Sequence, residues 1–360
     1  MDESPHIPSE RRPGRGAATN RTNRFERLEQ VASDDGWDLA EELPLLRTEV
    51  RVEKPRRILT RNASPDISFE RSINPYRGCE HGCIYCFARP THAYLGMSPG
   101  LDFETRLLAR PEAAALLRRE LSAKAYVPKP IAIGTNTDPY QPIEGSWKVM
   151  RGVLEVLHEF RHPVVIATKG TLIERDLDLL GPMGRDGLAA VGITVTTLDA
   201  GLARRLEPRV PSPARRLAAI RRLSEAGVPV RVMVSPVIPA LTDHEIEAVL
   251  EAARDAGAVA ASWVMLRLPL EVAPLFRDWL AEHVPDRAAR VMGRVRETHG
   301  GRDYDPTWGK RMKGEGPHAE LIARRFALAL RRLGYPEAVP PLRTDLFRIS
   351  PAPGDQLSLF

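Results

Sequence analysis

From residue 67 onward, short apolar segments of β character alternate with segments of helical periodicity. The six strand candidates are ISFERSINPY, PIAIGTNTD, PVVIATKG, LAAVGITVTTLD, VPVRVMVSPVIP and VAASWVMLRLP. The helical candidates between them are Pro111–Ala125, Ser146–Phe160, Glu174–Gly181, Ser212–Ala226 and Asp243–Ala256. Strands separated by helices in this way pair in parallel through right-handed crossovers. The pattern therefore predicts an α/β fold, built either as an open doubly wound sheet or as a curved, partial barrel.

Polar residues follow several of these strands. The segments GTNTDPYQP, ATKG, TVTTLD and SPVIPALTD each end or follow a strand candidate. In parallel α/β folds, function collects at the carboxyl ends of the strands. We therefore expect these segments to converge on one mouth of the sheet, together with the loop that follows the first strand.

That loop, RGCEHGCIYCFARP, contains all three cysteines of the 360-residue chain, Cys79, Cys83 and Cys86. Three thiols cannot pair evenly as disulfides, and they are one short of the four ligands of a closed metal site. The spacing C-x3-C-x2-C suits three corners of a cubane iron–sulfur cluster, which leaves the fourth iron open to chelate a small molecule. A zinc site completed by His81 or His92 is the alternative. Inert buried thiols are disfavoured, because the residues between the first two cysteines are polar and flexible.

The segment CEHGCIYC resembles the cluster-binding loop of the radical S-adenosylmethionine (SAM) superfamily, including Tyr85 before the last cysteine. The resemblance implies a [4Fe–4S] cluster whose unique iron binds SAM, and cleavage of SAM to methionine and a 5′-deoxyadenosyl radical that abstracts hydrogen from a substrate. It also implies a partial (β/α)6 barrel of the TIM type, which agrees with the six β units. Further segments, including GTNTDPYQPIE, ATKGTLIERDLDLL and SPVIPALTD, resemble the spore photoproduct lyase-like branch of the superfamily over about residues 67–270.

The resemblance also implies which residues at the strand ends contact SAM. They are Asn136, Thr137 and Asp138 for its amino group, Lys169 for its carboxylate, and Thr194 or Thr196 for its ribose. Lys169 is notable because seven of the 52 basic residues are lysines, and a compact ammonium suits a carboxylate in a tight pocket. The alternative for Asp138 and Thr196 is that they cap the next helix. The tripeptide Glu207–Arg209 could bind substrate or fix a loop.

The chain departs from this branch in one respect. The lyase that names the branch uses an additional cysteine as hydrogen donor to a product radical, whereas every cysteine of this chain belongs to the cluster motif. Repair of a thymine lesion by the same radical steps would need another hydrogen donor. Tyr76, Tyr94 and Tyr140 are candidates for that role, with packing as the alternative.

The composition is that of a soluble globular protein, with 43% hydrophobic and 28% charged residues. No apolar run reaches the length of a membrane span, and the N-terminal residues lack the apolar core of a signal peptide. We therefore expect a cytoplasmic protein with reduced thiols, and an electron donor such as flavodoxin or ferredoxin. The net charge of +5 suits a polyanionic partner such as DNA, although the excess of arginine also suits a GC-rich coding sequence.

Composition and periodicity divide the chain into four parts. These are a disordered or loosely attached arm (1–60), a radical SAM core (61–270), a helical, basic extension (271–348) and a flexible tail (349–360).

The tail ends in QLSLF, which resembles the pentapeptide by which bacterial DNA polymerases and repair proteins dock on the β sliding clamp. Gln356 would form hydrogen bonds, while Leu357, Leu359 and Phe360 would fill an apolar pocket. A tail that folds back on the body, or a chance match, is the alternative.

Together these features predict a radical SAM enzyme that acts on nucleic acid, in DNA repair or modification. One alternative is the same chemistry on a protein or a small molecule. The other is a zinc-containing clamp adaptor without enzymatic activity.

Overall fold

Two sheets organise the part of the chain that the computed structural model describes, residues 14–26 and 46–349. The strands within these residues are β1 (Glu49–Val52), β2 (Thr60–Arg61), β3 (Arg71–Ile73), β4 (Tyr76–Arg77), β5 (Arg106–Ala109), β6 (Ile131–Ile133), β7 (Val164–Thr168), β8 (Ala189–Thr194), β9 (Val230–Val237) and β10 (Ala260–Met265). The α-helices are α1 (Leu101–Thr105), α2 (Ala113–Leu121), α3 (Glu144–Trp147), α4 (Val149–Glu159), α5 (Leu177–Arg185), α6 (Ala200–Leu206), α7 (Pro213–Glu225), α8 (Ile246–Asp255), α9 (Val272–His283), α10 (Pro285–Thr298) and α11 (Gly316–Arg332).

The larger sheet contains the six predicted β units. Strands β3, β6, β7, β8, β9 and β10 pair in parallel in that order, and β2 pairs antiparallel with β3 at the edge. A doubly wound sheet would reverse its strand order at a switch point, whereas this order follows the chain. Within the described ranges no pairing joins β10 to β2. The predicted α/β fold is confirmed, and the sheet is consistent with a partial barrel.

Helices cover the strands and explain their apolar sequences. All three residues of β6 are buried, and so are Val164, Ile166 and Thr168 of β7. Helix α4 buries Val153, Leu154 and Leu157, which recur at helical spacing on one face. β6 is buried on both faces and reads as an apolar run, whereas in β7 the buried residues alternate with the exposed Val165 and the half-buried Ala167.

Helix boundaries differ from the prediction, since α5 runs from Leu177 to Arg185 rather than from Glu174 to Gly181, and another predicted helix is broken. The predicted helix Ser146–Phe160 is interrupted at Lys148, whose φ of 49° is left-handed and separates α3 from α4. The carboxylate of Glu144 stabilises this break, because it accepts hydrogen bonds from the Met150 N–H at 3.1 Å and from the Tyr76 hydroxyl. A local propensity argument does not detect such a break, since its carboxylate and hydroxyl partners come from different segments.

Outside the larger sheet, β5 pairs with β1 in parallel and with β4 antiparallel. The described parts of the first sixty residues therefore contact the core, and Ala17 is buried. Helices α9, α10 and α11 follow β10 and form the predicted helical extension. The domain boundaries stay a prediction, and the clamp-like residues 356–360 lie outside the described residues. In the described part of the chain, no helix combines the length and apolarity that crossing a membrane requires.

Candidate active site

The three cysteines lie in one loop that follows β4. Cys79 and Cys83 are buried, Cys86 is half-buried, and all three are free thiols. Backbone hydrogen bonds tighten the loop, from the N–H of Cys86 to the Cys83 carbonyl at 3.2 Å and from the N–H of Cys79 to the Phe103 carbonyl at 2.9 Å. Burial raises the pKa of each thiol. Burial thus disfavours the thiolate form at each position, and a bound metal would stabilise it.

Arg89 stabilises the same loop through its fully buried side chain. Its guanidinium donates to the carbonyl oxygens of Cys83 at 3.0 Å and Gly82 at 3.2 Å. It also donates to the carboxylate of Glu104 at 2.5 Å and to two further carbonyl oxygens. The backbone around the second cysteine is thus fixed by one side chain whose charge is neutralised inside the protein.

Thr137 and Asn136 follow β6, as predicted, but they have different surroundings. Thr137 is buried and donates its hydroxyl to the carbonyl oxygen of Gly78, next to Cys79, at 2.7 Å. Asn136 is exposed, and its backbone N–H donates to Asn74 Oδ1 at 3.0 Å. Thr137 therefore ties the cysteine loop to the end of β6, whereas Asn136 leaves its side chain at the surface.

Asp138 joins the ends of β6 and β7 to the cysteine loop. Its carboxylate accepts hydrogen bonds from the Thr168 hydroxyl at 2.6 Å and from the Lys169 backbone N–H at 2.7 Å. The same group lies 3.3 Å from His81 Nδ1, between the first two cysteines. Burial alone would raise the pKa of Asp138, but His81 and these hydrogen bonds lower it below its ordinary value.

Neither Asp138 nor Thr196 caps the helix that follows it, so the capping alternative is wrong for both. The N-cap of α3 is Ile143 and that of α6 is Asp199. Asp199 Oδ1 accepts from the Leu202 N–H at 3.0 Å, a capping bond that begins a helix the sequence analysis had missed.

Lys169 follows β7 and enters a buried polar network. Its Nζ lies 3.3 Å from Glu207 Oε1, 3.4 Å from the Ser235 carbonyl oxygen and 5.7 Å from the ring centroid of Tyr85. The Tyr85 hydroxyl donates to Glu207 Oε1, and Thr196 Oγ1 lies 2.8 Å from the same oxygen. The tyrosine of the cysteine motif, the predicted lysine and the predicted threonine therefore converge on one carboxylate.

Glu207 is the centre of this network and is fully buried. Its second oxygen lies 2.7 Å from Arg216 Nη2, and Arg216 Nη1 donates to the Thr194 carbonyl at 3.0 Å. Burial alone would raise the pKa of Glu207, but Arg216 and Lys169 lower it to about 2. Glu207 is thus ionised at neutral pH. Thr194 is buried at the end of β8 and enters the network through its backbone.

The sequence analysis missed Arg216, which is 1% exposed. Three, four and seven residues further along α7 lie Ala219, Ile220 and Leu223, all buried. Arg216 therefore falls on the apolar face of the helix. An arginine on that stripe is the sequence signal that could have identified it, because a buried charge requires a partner.

The tripeptide Glu207–Arg209 fixes the cysteine loop. Glu207, its first residue, makes the contacts described above. The side chain of Arg209, its last residue, lies 3.3 Å from Glu80 Oε1, and the Arg209 backbone N–H donates to the His81 carbonyl oxygen at 3.3 Å. Of the two roles left open by the sequence, these contacts support loop fixation.

The three candidate tyrosines differ in surroundings. Tyr76 and Tyr140 are buried, and their hydroxyls donate to Glu144 and Asp176. Burial and the neighbouring carboxylates raise the pKa of both phenols. Tyr94 is 73% exposed and lies at the surface rather than in the core. The packing role is thus favoured for Tyr76 and Tyr140.

The zinc alternative requires side chains that converge on one ion. Among residues 14–26 and 46–349, no three His, Cys, Asp or Glu side chains are placed to hold a single metal ion. His81 faces Asp138, and His92 Nε2 lies 2.9 Å from the Arg106 carbonyl oxygen. This geometry gives the zinc site no support.

A family model described as Radical SAM superfamily matches residues 73–253, just over half of the chain. The chain belongs to this superfamily. This radical SAM protein is 37% identical over 286 residues to an uncharacterized protein of Mycobacterium tuberculosis, with 78% of this chain and 83% of the relative covered. It is 29% identical over 174 residues to an uncharacterized protein of Methanocaldococcus jannaschii, with 48% and 62% covered. Spore photoproduct lyase complexed with dinucleoside spore photoproduct shares the fold, with a TM-score of 0.58, 15% identity and 79% of each chain covered.

Membership of the radical SAM superfamily implies a [4Fe–4S] cluster and SAM, and the residues present fit both. Three unpaired thiols in one loop are the soft ligands that iron–sulfur clusters take. A lysine and polar groups at the ends of the neighbouring strands suit an amino acid ligand. The individual roles toward SAM stay predictions for Asn136, Thr137, Asp138, Lys169, Thr194 and Thr196.

Proposed function

We propose that this protein is a radical SAM enzyme in which Cys79, Cys83 and Cys86 hold a [4Fe–4S] cluster. The observation that carries the proposal is the set of contacts that connects the cysteine loop to three strand ends. It meets the residues after β6 through Thr137, the end of β7 through His81 and Asp138, and the residues after β8 through Tyr85 and Thr196. When bound, the cluster and SAM supply a 5′-deoxyadenosyl radical that abstracts hydrogen from a substrate. The protein holds the Lys169 ammonium beside this loop, where it can bind a carboxylate, and Glu207 orients it.

Metal analysis of the anaerobically purified protein tests this proposal. We expect about four iron and four sulfide per chain, and cleavage of SAM by the reduced protein. Replacing any one of the three cysteines with alanine should remove both properties, because each cluster corner needs its thiolate. One zinc per chain without sulfide would contradict the proposal and favour the clamp adaptor.

For the substrate we propose nucleic acid, in DNA repair or modification. The supporting observation is Arg267, which follows β10 and lies 4.7 Å from the ring centroid of Phe87 and 5.9 Å from that of Tyr304. Phe87 directly follows the last cysteine and is 43% exposed. Arg267 Nε is buried and has no hydrogen-bond partner among the described residues. A cation between aromatic rings beside the cluster loop suits a phosphate and its neighbouring base.

The basic residues of the extension contribute less than their number suggests. Lys310 pairs with Glu315 at 2.6 Å, and Arg311 pairs with Asp66 at 2.5 Å. Lys313 Nζ donates to a backbone carbonyl oxygen at 2.6 Å. These three cations already have carboxylate or carbonyl partners within the protein, whereas the Arg267 guanidinium donates to the Met312 sulfur at 3.3 Å and the Tyr304 hydroxyl at 3.4 Å. Arg267 is therefore the stronger candidate for a phosphate contact.

DNA binding as a function of salt tests the substrate class. Arg267→Ala should weaken binding to single-stranded DNA and reduce the slope of log affinity against log salt by about one. Arg343→Ala is the control, because it removes the same charge from an exposed residue. The Arg343 backbone N–H donates to the Gly187 carbonyl oxygen, which precedes β8, so this variant should leave the slope unchanged. Absence of DNA binding, or equal effects of the two variants, would favour a protein or small-molecule substrate.

We also propose two partners. The tail motif QLSLF would recruit the enzyme to the β sliding clamp, and a flavodoxin or ferredoxin would supply the electron. The support for the first is the sequence of residues 356–360 alone. The second follows from the chemistry, because reduction of an iron–sulfur cluster requires a low-potential donor.

A further inference from the structure

The segment of residues 15–24, here called the clasp, runs across the cysteine loop on the side where Arg89 and Glu104 lie. We infer that the clasp is a positioning element that holds the loop in the conformation required for cluster binding, an inference that rests on the proposed function for the identity of the cluster. Its residues contact the loop backbone, the carboxylate that neutralises Arg89, and the C-terminal extension. The superfamily match begins at residue 73 and therefore does not include this segment.

The closest contact is between two glycine backbones. A Cβ atom on Gly16 would lie 1.8 Å from the carbonyl oxygen of Gly82, which precedes Cys83. Gly82 itself has a φ of 66°, a left-handed conformation that favours glycine. The clasp therefore touches the loop at the residue before its second cysteine, and any side chain at position 16 would have to displace the backbone.

The second contact is electrostatic. The buried carboxylate of Glu104 accepts hydrogen bonds from the N–H groups of Gly16 at 2.9 Å and Ala17 at 2.8 Å, and from Arg89 at 2.5 Å. Arg89 in turn donates to the carbonyl oxygens of Gly82 and Cys83. Two of the three donors to this carboxylate belong to the clasp. Without them Glu104 would be left with unsatisfied hydrogen-bonding capacity, which is costly in a buried group.

Arg15 extends the contact to the other side of the loop. Its guanidinium donates to the carbonyl oxygens of Glu104 at 3.0 Å and Leu46 at 2.7 Å, and to Thr48 Oγ1 at 3.1 Å. The Thr48 hydroxyl donates to Glu80, the residue after the first cysteine. The clasp is thus linked through Thr48 to the residue after Cys79, in addition to its direct contact at Gly82.

Several outer contacts fix the rest of the clasp, among them those of Asn20 and Arg24. The Asn20 side chain exchanges hydrogen bonds with Asp102, at 3.0 Å to the carboxylate and 3.1 Å from the backbone N–H. Arg24 binds the Glu271 carboxylate through one nitrogen, at 2.8 and 3.0 Å to its two oxygens. The clasp is therefore attached to α1 and to the residue before α9. These contacts hold it in position without the cluster.

A rigid cluster needs its three thiolates at fixed corners, and outer contacts that orient metal ligands change metal affinity by about 10–100-fold. Gly16→Ala, in the full-length chain, tests the clasp. We expect the anaerobic protein to release its iron to a chelator about tenfold faster than the wild type. Gly293→Ala is the control, because a Cβ there meets no atom within 4 Å and Gly293, like Gly16, has no left-handed φ. It should release iron at the wild-type rate.

Hydrogen exchange of the cluster-free proteins gives a second readout that does not depend on activity. Peptides from residues 79–89 should exchange faster in Gly16→Ala than in the wild type, while peptides from β7 should be unchanged. If Gly16→Ala does not fold, Asn20→Ala removes only an outer contact and should show the same selective effect at smaller size.

The outcomes separate the inference from the proposed function. Equal iron release and equal exchange of residues 79–89 in the variants and the wild type would contradict the inference that the clasp holds the loop. A wild-type protein without iron and sulfide would overturn the proposed function, and the exchange measurement would still decide whether the clasp holds the loop.

Discussion

Glu207→Gln is the most informative single substitution, because it removes one charge from a network that links the cysteine motif to Lys169. Glutamine retains an acceptor for the hydroxyls of Tyr85 and Thr196. It cannot neutralise Arg216, which is 1% exposed. The substitution therefore leaves a buried guanidinium without its counter-charge while keeping the size of the side chain.

Two figures, one from this structure and one from other proteins, indicate how much unfolding free energy the substitution should cost. The pKa of Glu207 is lowered from 4.5 to about 2, and this shift corresponds to about 3 kcal/mol in favour of the ionised form. Removing one partner of a buried ion pair costs about 3–5 kcal/mol in measured cases. Because the folded-state pKa lies below the unfolded one, this stabilisation is present above pH 4.5 and is lost as the pH falls toward 2.

Equilibrium unfolding in urea, measured anaerobically at pH 7 by circular dichroism and tryptophan fluorescence, is the assay. We expect Glu207→Gln to lower the free energy of unfolding by about 3 kcal/mol. Glu159→Gln, which breaks an exposed pair with Arg118, should cost less than about 1 kcal/mol. Equal effects of the two substitutions would refute the reasoning. The double variant Glu207→Gln, Arg216→Met should recover part of the loss, since it removes the unpaired charge.

Three further predictions concern separate parts of the protein. Lys169→Ala should leave the iron content unchanged and weaken SAM binding by about 1.5–3 kcal/mol in calorimetry; unchanged affinity would assign Lys169 a structural role. Burial lowers the pKa of His162 to about 4, so folding favours the neutral ring, and stability should fall as the pH drops below 6.5. The loss should be about 2 kcal/mol at pH 5 and absent in His162→Asn; an equal pH dependence in both proteins would contradict it. A peptide with residues 349–360 should bind the β sliding clamp with a dissociation constant of about 1 μM, and Phe360→Ala should cost at least about 1–2 kcal/mol in fluorescence anisotropy; no binding would remove the support for recruitment.

The sequence by itself determined the α/β fold class, the six parallel β units and the loop that carries the thiols. These are local features: a short apolar run bounded by turn residues marks a strand, and the three cysteines lie within eight residues of one another. Topology then places the strand ends at one mouth, and the resemblance to the radical SAM superfamily singled out Thr137, Asp138, Lys169 and Thr196 there before their contacts were known.

Only the tertiary structure decided how the cysteine loop is held. Arg216 became visible as the partner of Glu207, and residues 15–24, which the sequence assigned to a loosely attached arm, contact the loop through Glu104. The sequence separation of Gly16 and Glu104 is 88 residues. A short polar segment such as RGAATNRTNR has no periodicity of its own, so its order depends on distant groups that satisfy its backbone. Buried charges likewise persist only where folding brings them a partner, and no local pattern specifies that partner.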